Sequence, residues 1–211
     1  MEGILIDFEG IDGSGKRTQS IFLEKELSRR DIRSHVYSYP DYESVYGKRI
    51  KQFLGGNINL SVEEQFLLYL LDMIKDEAEV KQELKKGVNV IMDRYFFSTI
   101  AYQCANHFDC EAAKEVVRLM GLTVPSIVFY LDVPVNVAFH RKIEQKGSSD
   151  RFEKDLKFLE DVKKIYDMLV GEYIHSTKWV RLNGLDKQEI IREIVFSNVH
   201  ELIKEKEVNL G

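Results

Sequence analysis

The chain has 211 residues, 44% hydrophobic and 31% charged, enough to bury a full core in one α/β unit. A net charge of −5 excludes a general attraction for nucleic acid polymers, so any anionic ligand must be held by local cations. No apolar run reaches the ~18 residues that a membrane span requires, Met1 leads directly into a strand, and Cys104 and Cys110 form neither a disulfide framework nor a zinc pattern. A soluble cytoplasmic protein with two buried free thiols is the expectation.

Taken in chain order, the first strand is expected over Ile4–Glu9, followed by a glycine-rich turn and a helix over Lys16–Arg30. A strand over Ser34–Tyr39 precedes helices over Ser44–Leu54 and Val62–Lys86, the second carrying Phe66, Leu67, Leu70, Leu71 and Ile74 at helical spacing. Strand Val88–Asp93, helices Ser98–Asn106 and Cys110–Met120, strand Ile127–Asp132 and helix Val135–Gln145 come next. A helix over Glu153–His175, a strand over Trp179–Leu182 and a helix over Lys187–Lys206 complete the pattern, with residues from Lys204 to Gly211 read as a frayed tail. Short β-branched strands alternating with longer helices imply a parallel sheet whose right-handed crossovers bring the ends of strands one, three and four to one edge.

The segment Phe8-Glu9-Gly10-Ile11-Asp12-Gly13-Ser14-Gly15-Lys16 has the composition of a phosphate cradle. Glycines let successive N–H groups turn inward on phosphate oxygens, the following helix adds the positive end of its dipole, and Lys16 supplies a mobile cation. The pattern G-x-x-x-x-G-K-[ST] calls next for a hydroxyl that binds magnesium. Arg17 occupies that position and Thr18 follows one residue late.

Beyond this loop the chain carries Tyr39-Pro40 with Gly47-Lys48, Asp93-Arg94-Tyr95 with Ser98-Thr99-Ile100-Ala101-Tyr102-Gln103, and Asp150-Arg151-Phe152-Glu153. In this order and spacing the four motifs resemble the thymidylate kinases, P-loop kinases that phosphorylate dTMP with ATP. The resemblance implies a three-layer P-loop kinase fold with a five-stranded parallel sheet in the order 2-3-1-4-5, in one domain over residues 1–206 with a lid at about 141–153 and a flexible tail at 207–211. It also implies Mg2+ as cofactor, ATP as donor, a small nucleotide acceptor and a homodimer, with no polymer or membrane partner.

The resemblance assigns roles residue by residue. Gly10, Ile11, Asp12, Gly13, Ser14, Gly15, Lys16, Arg17 and Thr18 would surround the ATP phosphates, with Lys146 and the catalytic Arg151 closing from the lid on the transferring phosphoryl and Arg141 on the donor side, stacking on adenine. Arg94 would grip the acceptor phosphate and Asp93 orient a magnesium-bound water, although the pair also reads as a surface ion pair. Asp12 would bind the acceptor 3′-hydroxyl, Tyr69 stack on the base and Tyr102 crowd out a ribose 2′-hydroxyl. Ser98 and Gln103 would lie near the base, with Tyr39 and Pro40 as wall. Glu9 either orders the site or is a strand-end carboxylate satisfied by backbone donors. The stretch from Arg141 to Arg151 reads as a catalytic lid or, by composition alone, as a solvated basic loop.

Two further departures matter. Tyr42 and Met73 fall where relatives carry arginines for the acceptor phosphate and the thymine carbonyl, so dUMP or another deoxynucleotide joins dTMP as a candidate acceptor. Two rival readings stand beside this one: a deoxynucleoside kinase with an unphosphorylated acceptor, and a nucleotide-binding regulatory protein without kinase activity.

Overall fold

The computed structural model describes residues 2–146, 156–172 and 177–208. Five parallel strands, β1 (Leu5–Glu9), β2 (Ser34–Ser38), β3 (Asn89–Asp93), β4 (Ile127–Asp132) and β5 (Lys178–Asn183), form one sheet in the order β2-β3-β1-β4-β5. The helices among the described residues are α1 (Lys16–Ser28), α2 (Val45–Leu54), α3 (Val62–Ile74), α4 (Glu77–Lys85), α5 (Phe96–Ala105), α6 (Cys110–Met120), α7 (Val135–Lys146), α8 (Leu156–Gly171) and α9 (Gln188–Val208). The sheet is all-parallel and the expected strand order is observed.

Strand side chains alternate between two cores, as their period of two requires. Ile6 and Phe8 face Leu23, Leu27, Val195 and Val199 of α1 and α9, while Leu5, Val90 and Val128 face the helices on the other side. Asp7 and Glu9 share the face of Leu5, so β1 sends two carboxyls into an otherwise apolar layer. The central strand β1 lies between β3 and β4, and the side on which successive strands are added switches there, which opens a crevice at its carboxyl end.

The structure differs from the sequence reading in three places. The expected helix over Val62–Lys86 is two helices, broken at Lys75–Asp76, where the Asp76 N–H turns back to the Met73 carbonyl and its carboxylate accepts from the Tyr39 hydroxyl at 2.9 Å. Phe66, Leu70, Met73, Val80 and Leu84 keep one apolar stripe across the break, so periodicity does not reveal it. Cys104 and Cys110, read as free thiols, are joined as a disulfide across the turn between α5 and α6, with Cα atoms 5.2 Å apart. Finally, α9 remains helical to Val208, past the expected end near Lys206.

Candidate active site

Strand β1 delivers the glycine-rich loop to the crevice. Gly13 has φ +81°, and a Cβ there would run into the Ala138 carbonyl of α7, so only glycine lets loop and helix approach this closely. Gly15 at φ +105° turns the chain into α1, leaving the first N–H groups of that helix facing the loop. Lys16 folds back over the loop and donates to the carbonyls of Gly10 and Ile11, both at 2.8 Å, with Ser14 Oγ at 3.4 Å. Burial drives its ammonium down to about 7, helped by the Arg94 charge and opposed by Asp12 and Asp93.

Strand β3 delivers Asp93 and Arg94 to the same crevice. Arg94 sits at φ +73°, a left-handed conformation uncommon for a residue other than glycine and strained unless its surroundings hold it. They do: its guanidinium donates to Asp12 Oδ1 at 2.7 Å, to the Gly10 carbonyl at 3.2 Å and to Ser98 Oγ at 3.1 Å. The Tyr102 ring lies 5.4 Å from its charge centre. Burial alone would raise the Asp12 carboxyl, but Arg94, Lys142 and Lys16 outweigh it and hold Asp12 well below the usual carboxylate range. The surface-ion-pair alternative for Asp93 and Arg94 fails, because Arg94 pairs with Asp12 and both members of the Asp-Arg dipeptide border a cavity.

That cavity has a volume of about 390 Å³. On its walls the structure brings together Asp12 and Arg17 from the loop, Tyr39 and Pro40 after β2, and Tyr69 and Met73 from α3. Asp93, Arg94, Ser98, Tyr102 and Gln103 also line it. Asp72, 1% exposed, pins the Tyr39-Pro40 segment by accepting from the Asp41 N–H at 2.8 Å and the Ser44 hydroxyl at 2.6 Å. Tyr42 also borders the cavity.

Glu9 is not on this wall. It lies behind Ser98, fully buried, and caps α5: Oε1 accepts from the backbone N–H groups of Tyr95 and Ser98, both at 3.0 Å, while Oε2 accepts from Ser98 Oγ and from Tyr166 at 2.7 Å. Glu9 is thus a strand-end carboxylate satisfied by backbone donors that also holds Ser98 and the start of α5 in place. Asp7, two residues earlier on the same face, is fully buried beside Glu9, and neither of its oxygens meets a hydrogen-bond donor among the described residues. Burial first and the neighbouring Glu9 second push its carboxyl well above the ordinary range, leaving it the neutral acid of the pair.

Thr18 is exposed on the first turn of α1 and is not among the cavity-lining residues. Arg141 lies away from the cavity against the turn after β5, donating to the Gly184 carbonyl at 3.0 Å. The side chain of Lys146, Arg151 and residues 147–153 of the expected lid lie outside the described residues. Lys142, which sequence reasoning did not single out, borders the cavity and reaches Asp12 Oδ1 at 3.4 Å. Its signal was position: it lies one turn beyond Ala138, the residue against which Gly13 packs. Asp93 faces the same cations, its carboxyl raised by burial and lowered in turn by Lys16, Arg94 and Arg17.

The sequence profile of the thymidylate kinase family matches residues 8–194. The chain is 33% identical to a thymidylate kinase of Leptospira borgpetersenii over 193 residues, covering 90% of each chain. It is 32% identical to a thymidylate kinase of Plasmodium falciparum, covering 98% of this chain and 94% of the other. A probable thymidylate kinase of Methanocaldococcus jannaschii is 36% identical over 82% of this chain and 85% of its own. These matches do not favour the deoxynucleoside kinase or the regulatory reading. A profile match over most of the chain, on a fold that gathers the glycine-rich loop and the Asp93-Arg94 turn at one crevice, leads to a single assignment: the chain belongs to the thymidylate kinase family.

Proposed function

We propose that this protein transfers the γ-phosphoryl group of ATP to the 5′-phosphate of dTMP, giving dTDP and ADP. The observation that carries the reading is the convergence of Lys16 and Arg94 on one polar cleft, since phosphoryl transfer needs two polyanions held in line with their charge neutralised. The inward N–H groups from Gly10 to Gly15 and the Lys16 ammonium cradle the β- and γ-phosphates. Arg17 extends this positive surface toward the transferring group, with Thr18, Arg141 and Lys146 on the donor side and Arg151 closing from the lid.

On the acceptor side the Arg94 fork binds the 5′-phosphate, and Asp12 holds that fork while facing the sugar hydroxyl. Tyr69 stacks on the base, Tyr102 fills the space of a 2′-hydroxyl, and Ser98, Gln103, Tyr39 and Pro40 shape the rest. Glu9 acts at one remove, by fixing the start of α5 and hence Ser98.

A magnesium ion fits this donor set. No cluster of three metal-ligating side chains is present among the described residues, and Mg2+ characteristically uses one or two carboxylates, waters and substrate phosphates instead. Asp93, whose carboxylate carries no hydrogen bond among the described residues, would hold it through water. When bound, the ion supplies charge neutralisation at the donor phosphates.

The reading extends to one kinase domain over residues 1–206 with a lid at about 141–153, located in the cytoplasm; no helix among the described residues is long and apolar enough to cross a membrane. Leu67 and Leu71 on α3, 53% and 41% exposed, and Leu119 and Met120 on α6, 62% and 48% exposed, support self-association as a homodimer through adjoining helices. A coupled assay of ADP release tests the central claim. Release that requires dTMP is expected; release without acceptor, or with thymidine but not dTMP, overturns it.

A further inference from the structure

The carboxylate oxygen that seats Arg94 carries a second cation. Asp12 Oδ1 accepts from the Arg94 guanidinium at 2.7 Å and from the Lys142 ammonium at 3.4 Å, and all three residues line the same cavity. The Lys142 side chain is 14% exposed, so it is not sealed behind the wall. Its place is set by packing: Gly13 lies against the backbone of Ala138, which fixes α7 on the phosphate loop, and residue 142 follows one turn later on the same helix face. Arg94 follows β3 and α7 follows β4, so two separate crossovers deliver the two cations to one carboxylate.

The charge balance at this point shows why one cation is not enough. Arg94 and Asp12 form a pair with no net charge, whereas a phosphate monoester carries about −1.5 to −2 near neutral pH. A dianion brought against a neutral pair gives up water without gaining a full countercharge. Lys16, the third cation beside Asp12, is turned onto the carbonyls of Gly10 and Ile11. Lys142 supplies the charge that the Arg94–Asp12 pair lacks.

The two contacts also differ in kind. Charge-assisted N–H···O bonds settle at about 2.7–2.9 Å, where Arg94 is found and Lys142 is not. A lysine ends in one compact ammonium on a flexible stem, so it exchanges a long contact with Asp12 for a short one with a phosphate oxygen while the planar Arg94 fork stays fixed. We infer that Lys142 binds the 5′-phosphate of the acceptor, closing on it beside Arg94. The inference rests on the acceptor assignment above, and it makes the phosphate, rather than the base or the sugar, the part of the acceptor that α7 senses.

Thymidine, which lacks the phosphate, separates this role from a purely structural one. Dissociation constants for dTMP and for thymidine are measured by calorimetry on the full chain and on Lys142→Met, which keeps an extended side chain without its charge. The Kd of thymidine divided by that of dTMP should fall at least fivefold in the variant, because only dTMP loses a charge-assisted bond. A smaller fall, including an equal weakening of both ligands, makes Lys142 a support for Asp12 and overturns the inference alone. In Lys142→Arg, which keeps the charge, the ratio should stay closer to that of the unaltered protein; the same fall in both variants equally overturns the inference. The Kd of ATP without acceptor should change less than threefold in Lys142→Met, and a larger loss places the ammonium on the donor phosphates instead. If the unaltered protein binds dTMP no more tightly than thymidine, the parent reading and the inference fail together.

Discussion

Lys16 and Arg94 donate to the same oxygen, the carbonyl of Gly10, at 2.8 and 3.2 Å. One residue arrives after β1 and the other after β3, and their meeting places two cations on either side of a single point of the loop. Two such charges so close repel, which is one cause of the lowered Lys16 ammonium, and a phosphate chain entering between them relieves the repulsion. The same pairing makes the first three predictions specific.

Lys16→Ala should leave nucleotide binding measurable while kcat falls by about 10²–10³ or more, because the lost cation matters most when charge builds in the transition state. Steady-state kinetics with saturating dTMP checks this. Turnover near that of the unaltered protein would reject the loop assignment.

Arg94→Lys keeps the charge but loses the planar fork that spans Asp12, Gly10 and Ser98. The KM for dTMP should rise at least tenfold with the KM for ATP changed by less than threefold. A defect confined to the ATP side would remove Arg94 from the acceptor site.

Lys16 also predicts a pH effect. Its ammonium falls from the ordinary 10.5 to about 7 in the fold, so between these values the unfolded chain holds a proton that the folded one has released. Stability should therefore rise with pH across that window, with a slope of at most about 1.4 kcal/mol per unit, and Lys16→Met should remove the slope. Phosphates restore the charged form, so ATP binding at pH 8 should take up close to one proton. Titration calorimetry in two buffers of different ionisation enthalpy measures that uptake; none would contradict the buried position of Lys16.

Glu9→Gln tests the cap on α5. A carboxylate accepts on both oxygens, but an amide presents two N–H groups to a site that already supplies four donors from Tyr95, Ser98 and Tyr166. A loss of about 1–3 kcal/mol in thermal or urea unfolding is expected, with a smaller loss for Tyr166→Phe. The displaced Ser98 should also lower kcat/KM for dTMP.

Asp7→Asn should act in the opposite sense. The Asp7 carboxyl is held neutral well above its ordinary range, so from about pH 4 upward the unfolded chain sheds a proton that the fold keeps, and stability falls as pH rises. Asparagine carries no such proton, so the melting temperature of the variant should exceed that of the unaltered chain at pH 8 by more than at pH 5. An equal difference at both would refute the neutral-acid assignment.

The phosphate loop, the order of strands and helices and the Asp93-Arg94 turn were legible in the sequence because local physics dictates each: glycine backbone freedom, side-chain period and the reach of a strand end into the loop that follows. The tertiary structure alone decided which distant groups meet. Lys142 reaches Asp12 across 130 residues, Glu9 caps a helix that begins 87 positions later, and Tyr39 ties down the Asp76 break in an unbroken apolar stripe. These contacts depend on crossover paths and on the cost of burying polar atoms without partners, which no local pattern records. Loop chemistry is written in neighbouring residues, whereas the polarity of the acceptor cavity is a property of side chains that only the folded sheet brings face to face.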